Sequence, residues 1–192
     1  MAVERHPWPP FLPEKARLLM LGSFPPKRER WSMDFFYPNW LNDMWRIMGL
    51  IFYGDKAYFT EPAEKRFHRE RIEQFLRERG IALYDMAVAV RRLKDNASDQ
   101  FLEVVEATDW RALLRQMPCC TAVVTTGQKA TETFCLSAGI AAPRIGECTP
   151  FDFEGREVRF YRMPSSSRAY PLPLPRKAEA YATLFTREGI KG

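Results

Sequence analysis

Only two histidines, His6 and His68, and four cysteines occur among the 192 residues. The cysteines, Cys119, Cys120, Cys135 and Cys148, form no CxxC and have no histidine partner at metal spacing. This argues against a zinc ribbon, a disulfide framework or an iron–sulfur cluster, so reduced thiols and no metal are expected. Long apolar runs are lacking too: none approaches the roughly 20 residues that cross a bilayer. The opening MAVERHPWPPFLPEKAR has no apolar segment of the secretory kind. No membrane partner is therefore expected, and the location is taken as cytoplasmic (bacterial nucleoid) or nuclear. Neither GxxxxGK[ST] nor GxGxxG occurs, which sets aside nucleoside triphosphates and dinucleotides and leaves no cofactor expected. There is no internal repeat.

What is present is material for a core: 46% of residues are hydrophobic and 14% aromatic, enough for one monomeric domain to fold alone. Lysine and arginine number 29 against 24 aspartates and glutamates, a net charge of +5 that leans toward a polyanionic partner. Residues 1–16 are proline-rich and aperiodic and read as an extended arm; residues 17–192 read as a single domain. A short apolar run over 16–21 ends at Gly22 with Pro25 and Pro26 following, the pattern of a buried strand breaking into a loop. Helical spacing is expected over 42–49, with Met44, Trp45 and Met48 on one side. It is expected again over 62–79, with Gly80 as a stop. A second strand covers 81–86 with Asp85 near its end, prolonged through 88–90, and a Lys94-Asp95-Asn96 loop follows. A helix over 110–117, a β-branched strand over 121–126, a helix over 129–138, a strand over 158–163 and a closing helix over 176–187 complete the chain. The proline-spaced segment 171–175 reads as a strap. Strands alternating with helices predict an α/β three-layer sandwich with a central, mostly parallel four-stranded sheet. Ligands are then expected beyond the carboxyl ends of the strands.

Four strand exits follow from that scheme: Gly22-Ser23-Phe24-Pro25-Pro26, Tyr84-Asp85-Met86, Thr125-Thr126-Gly127-Gln128-Lys129 and Met163-Pro164-Ser165-Ser166-Ser167-Arg168. Their small residues let backbone approach a ligand, and serine hydroxyls with free amides grip phosphate. Trp31, Phe35, Phe36, Tyr37, Trp40 and Trp45 crowd the segment after the first exit. They form either a core plug or an aromatic shelf on which a flat nucleobase stacks. Asp85 is either a carboxylate beside a sugar or a loop cap; Asn42 either touches a base or water, or braces backbone. Asp43 reads as a cap or a solvent-facing residue. Arg91, Arg92 and Lys94 either meet phosphate or form a solvated loop. His6 and His68 read as surface residues, so the serine triplet has no histidine with which to form a nucleophilic triad.

Gly22-Ser23-Phe24-Pro25, then Tyr37 with Asn42 and Trp45 in the spacing Y-x4-N-x2-W, come first in the chain. The segment 80–85 (GIALYD), Gly127-Gln128-Lys129-Ala130 and Met163-Pro164-Ser165-Ser166-Ser167 follow. Together they resemble the uracil-DNA glycosylase superfamily, nearest its mismatch-specific thymine/uracil and deoxyinosine (hypoxanthine) branches. The resemblance covers about residues 17–187 in the family's order. It implies a DNA glycosylase acting in base excision repair, which flips a deaminated base, uracil or hypoxanthine, and hydrolyses its N-glycosidic bond. The partner is then DNA carrying a damaged or mismatched base. Asn42 is the implied catalytic residue, and Asp85, by its place at the second strand exit, is the candidate carboxylate beside the sugar. Ser23, Phe24, Tyr37 and Thr126 are the implied base-binding ones. Ser165, Ser166, Ser167, Lys129 and Arg168 would hold the DNA backbone, with Arg168 or Tyr170 entering the stack. Two departures stand out. Phe24 occupies the place where most branches carry a water-orienting Asn or Asp, and Met163 the place of a histidine that stabilises the departing base. An inactive DNA-binding relative, or an enzyme splitting free nucleosides, are the rival readings.

Overall fold

In the computed structural model of the chain, residues 2–94 and 99–190 are described. Its elements follow the order β1 (Val3–Arg5), β2 (Leu18–Gly22), α1 (Met44–Tyr53), β3 (Thr60–Glu61), β4 (Arg66–Phe67), α2 (Arg69–Arg79), β5 (Ile81–Asp85), β6 (Ala87–Arg92), β7 (Leu102–Ala107), α3 (Trp110–Gln116), β8 (Ala122–Thr126), α4 (Gln128–Ala138), β9 (Cys148–Phe153), β10 (Arg156–Met163) and α5 (Leu174–Arg187). Asp95 and Asn96 of the expected loop lie outside the described residues.

The main sheet runs β5-β2-β8-β10-β9. Its first four strands are mutually parallel, and β9 pairs antiparallel with β10. The sheet thus has five strands, not the four expected. Pro150 and Asp152 interrupt the alternation of β9, and a proline is tolerated only because β9 lies at the sheet's edge. Glu154 and Gly155, both at positive φ, make the tight hairpin joining β9 to β10. Strands β2, β5 and β8 are buried at every position, as both-face coverage requires. Successive residues of β10 show which helices cover which face. Phe160 stacks on Phe134 of α4 at 4.5 Å, and Phe134 meets Trp110 of α3 at 4.8 Å. Tyr161 points the other way, donating to Glu188 just past α5. On that side Phe185 of α5 meets Phe52 of α1 at 5.1 Å, and Phe52 meets Phe75 of α2 at 4.9 Å. These aromatic contacts close the two outer layers, each buried ring contributing about 1.5–3 kcal/mol by burial.

Three further expectations are corrected. The helix expected over 62–79 begins only at Arg69, because Thr60–Glu61 and Arg66–Phe67 pair as a small hairpin that buries Phe67. The apolar stretch after β5 does not prolong that strand. Met86 N–H bonds Gly22 O at 2.8 Å, and the chain turns out into β6, the centre of a separate β1-β6-β7 sheet. Arg91 and Arg92 therefore lie on a strand, paired with Glu103 and Glu4, and not in a loop. Strand β7 has mostly exposed side chains and shows no apolar pattern. Residues before β2 run along β5: Phe11 exchanges backbone bonds of 2.9 Å each way with Leu83, covering an edge strand.

Candidate functional site

Because Gly22 stands level with Asp85 and Thr126 with Met163, the strand exits end in one plane. They open into one cavity of about 740 Å³. Twelve residues with an expected site role line it: Ser23, Phe24, Tyr37, Asn42, Asp85, Thr126, Lys129, Ser165, Ser166, Ser167, Arg168 and Tyr170; Arg91, Arg92 and Lys94 do not. Cations Arg30, Lys129, Arg162 and Arg168 line it alongside Asp85, Asp99 and Glu132.

Asp85 forms the floor. Its residue is 6% exposed, and its Oδ2 lies 2.8 Å from His6 Nε2. The other oxygen, Oδ1, accepts no hydrogen bond among the described residues. It faces Gly22, where a Cβ would come within 2.3 Å of it, so only glycine leaves the carboxylate its place. That Cβ would also stand 3.5 Å from the Tyr37 hydroxyl, so Tyr37 borders the same corner. Tyr37 adopts φ +51°, a conformation uncommon outside glycine that places its ring against Trp45 and its hydroxyl 3.1 Å from Thr126 Oγ1. Burial, and next Asp85, push the Tyr37 phenol far above its ordinary range, so it stays neutral. Most other aromatics of that segment belong to the core: Phe35, Phe36 and Trp45 are buried, and Trp45 Nε1 donates to Phe36 O. Phe24 is also buried, packed with Ala87, Val90 and Leu102 of the small sheet. Ser23 Oγ donates to Asp99.

Asn42 precedes α1. Its Oδ1 accepts Met44 N–H at 2.9 Å, which brings the carbonyl into the helix start and leaves Nδ2 without a partner among the described residues. Asp43 is neither a side-chain cap nor solvent-facing. At 5% exposure it lies among three cations, Arg168 Nε at 3.1 Å, Lys177 Nζ at 3.6 Å and Arg46 Nη1 at 3.7 Å. Burial lowers the Lys177 ammonium from its ordinary value, with Asp43 opposing. This cluster holds the serine loop: Lys177 donates to Ser167 O at 2.8 Å, Asp43 N–H to Ser166 O at 2.8 Å and Tyr181 to Pro164 O at 2.7 Å. Ser165 Oγ and Ser167 Oγ each accept a nearby backbone N–H, from Ser167 and Ala169. One carboxylate among three cations leaves surplus positive charge beneath these hydroxyls. Gly127, at φ +91°, lets the exits of β8 and β10 approach and opens α4, with Lys129 in its first turn.

Sequence reasoning missed His6 and Leu41. The His6 side chain is only 2% exposed, not a surface group; no local pattern marks it, because its partner is 79 positions away. His68, by contrast, is partly exposed and bonds Glu61. Leu41, 52% exposed on the cavity rim, receives the Arg168 N–H at its carbonyl. An apolar residue between Trp40 and Asn42 with no helical or strand periodicity was its only signal.

No protein-family model matches the chain, and no curated protein does. Among solved structures it is similar to a solution NMR structure described as a "putative Uracil DNA glycosylase" from Methanosarcina acetivorans. The two share 21% identity over 98% of this chain and 99% of the other, with a TM-score of 0.64. At that identity the likeness is one of fold.

Proposed function

We propose that this protein is a DNA glycosylase that excises a deaminated base, uracil or hypoxanthine, from DNA. The observation that carries the reading is the convergence, in one cleft of this fold, of a buried carboxylate with a free oxygen and a serine loop backed by cations. A flipped nucleotide needs both: polar groups around base and sugar, and a grip on a compressed backbone. In the reaction the C1′–N bond breaks and its electron pair leaves with the base, so positive charge develops on C1′ and the ring oxygen. Asp85 Oδ1 offsets that charge in a water-poor floor, where a fixed carboxylate acts more strongly than in water. Water adds to C1′, and its proton passes to the carboxylate or the departing base. Asn42 Nδ2, its carbonyl already occupied, serves as a donor to the base. Tyr37 supplies the ring and a neutral hydroxyl. Ser165 and Ser167, with Arg168 and Lys129, take the phosphates, and Leu41 or Arg168 fills the vacated stack.

The test is base release from end-labelled duplexes carrying one uracil, hypoxanthine or mismatched thymine, followed by alkaline cleavage. Release of one base by wild type, falling about 10²–10³-fold in Asp85→Ala or Asn42→Ala, is the expected result. The environment of Phe24, apolar where most branches carry a polar side chain, supports the rival of a binding protein without turnover. Tight, salt-sensitive duplex binding with no release of any base would establish that rival instead.

A further inference from the structure

We propose that His6 is a positioning residue for Asp85, so that the arm before β2 is a working part of the cleft as well as a cover for the sheet. This inference rests on the glycosylase reading. β1 sets Val3, Glu4 and Arg5 opposite Arg91, Val90 and Ala89, and His6 N–H then bonds Val88 O at 2.7 Å. The imidazole that follows is enclosed by rings, Tyr84 at 4.6 Å, Phe24 at 5.5 Å, and Phe36 and Trp8 at 5.8 Å. Such a space suits an apolar side chain, and a polar ring there must have its nitrogens satisfied.

Both nitrogens have partners, and those partners accommodate a proton on Nε2 facing Asp85. Nδ1 lies 3.2 Å from Trp8 N and 2.8 Å from Trp8 O, so the same peptide segment offers it a donor and an acceptor. With the proton of a neutral ring on Nε2, opposite the Asp85 carboxylate, Nδ1 accepts Trp8 N–H. When the ring is cationic, Nδ1–H donates to Trp8 O and Nε2 is still protonated. In both forms Nε2–H donates to Asp85 Oδ2 across 2.8 Å. His6 therefore holds Oδ2 and leaves Oδ1 turned toward Gly22 and the Tyr37 hydroxyl. It transfers no proton itself; it holds the carboxylate that meets the reacting sugar.

The experiment measures single-turnover base release by full-length wild type, His6→Gln, His6→Leu, His6→Ala and Asp85→Ala on the duplex whose base wild type releases. Affinity for a duplex holding a tetrahydrofuran abasic analogue reports the integrity of the cleft. His6→Leu, which fills the space without a donor, is expected to lose about 10²-fold in rate while its affinity stays within about threefold. His6→Gln, whose side-chain N–H reaches toward Oδ2, is expected to stay within about tenfold of wild type, and added imidazole to restore His6→Ala but not Asp85→Ala. A wild-type rate in His6→Leu, or a loss that neither glutamine nor imidazole relieves, overturns the proposal. A second measurement needs no variant: ¹⁵N shifts of the His6 ring should place a proton on Nε2, and a ring protonated on Nδ1 alone also overturns it. Wild type releasing no base from any duplex overturns the glycosylase reading and this inference with it; activity that survives in His6→Leu removes only the inference.

Discussion

A buried carboxylate stands at each end of the main sheet, and the two are treated differently. At the amino-terminal ends Glu188, 5% exposed, accepts Arg159 Nε at 2.7 Å and Nη2 at 2.8 Å, Tyr161 OH at 2.5 Å and Thr121 Oγ1 at 3.5 Å. Its backbone carbonyl takes Arg17 Nη2 at 2.6 Å as well. Nothing is left for a ligand to bond, and the group serves as a fastener between β10 and the end of α5. Asp85, at the carboxyl ends, has one side-chain partner on one oxygen and a cavity before the other. Burial alone does not mark a site; unspent hydrogen-bonding capacity facing a space does.

That contrast can be broken or sharpened in four ways. Asp85→Asn keeps the volume and an acceptor for His6, so base release should fall about 10²–10³-fold. Its unfolding free energy, read by urea titration, should move by less than about 1 kcal/mol. Glu188→Ala should do the reverse. Removing the acceptor strands Arg159 and Tyr161 and costs on the order of 3 kcal/mol in the same titration, with release kinetics of the folded fraction unchanged. Acid should distinguish the ends too. Burial raises the Glu188 carboxyl, but the Arg159 and Tyr161 hydrogen bonds outweigh it and hold it below the usual glutamate range. Its contribution is therefore complete above the unfolded value of about 4.3 and is lost as pH falls through the folded one. Wild-type stability should drop below that pH more steeply than that of Glu188→Gln. Smallest is Lys129→Ala, expected to weaken duplex binding a few-fold for every sequence and to lower the salt slope by about 1.

The parallel strands and their exits were legible because a strand covered on both faces has no polar alternation, and small residues must follow it. The runs at 18–22 and 122–126 carry that signal in five residues each. Strands exposed on one side or interrupted by proline did not: β7 and β9 carry glutamates, Pro150 and Asp152 where an apolar period was sought. At the site, the expected residues line one cavity, most of them close to a strand end or a helix start. Asp43 was misread because its three cations come from α1, the serine loop and α5, and no spacing reveals a cluster assembled from three elements. His6 was misread for the same reason, with one partner 79 residues on.

That separation also orders events in time. A ribosome delivers Val3 to His6 well before Val88 to Arg91, the residues they pair with, and before Asp85. The segment must wait, unpaired, while β2, α1, α2 and β5 are synthesised, and its docking closes a loop of some eighty residues. Such long-range closure is the slow kind. The cleft is thus expected to mature late in folding, with amide protection at Arg5 and His6 acquired after that of β2 and β5.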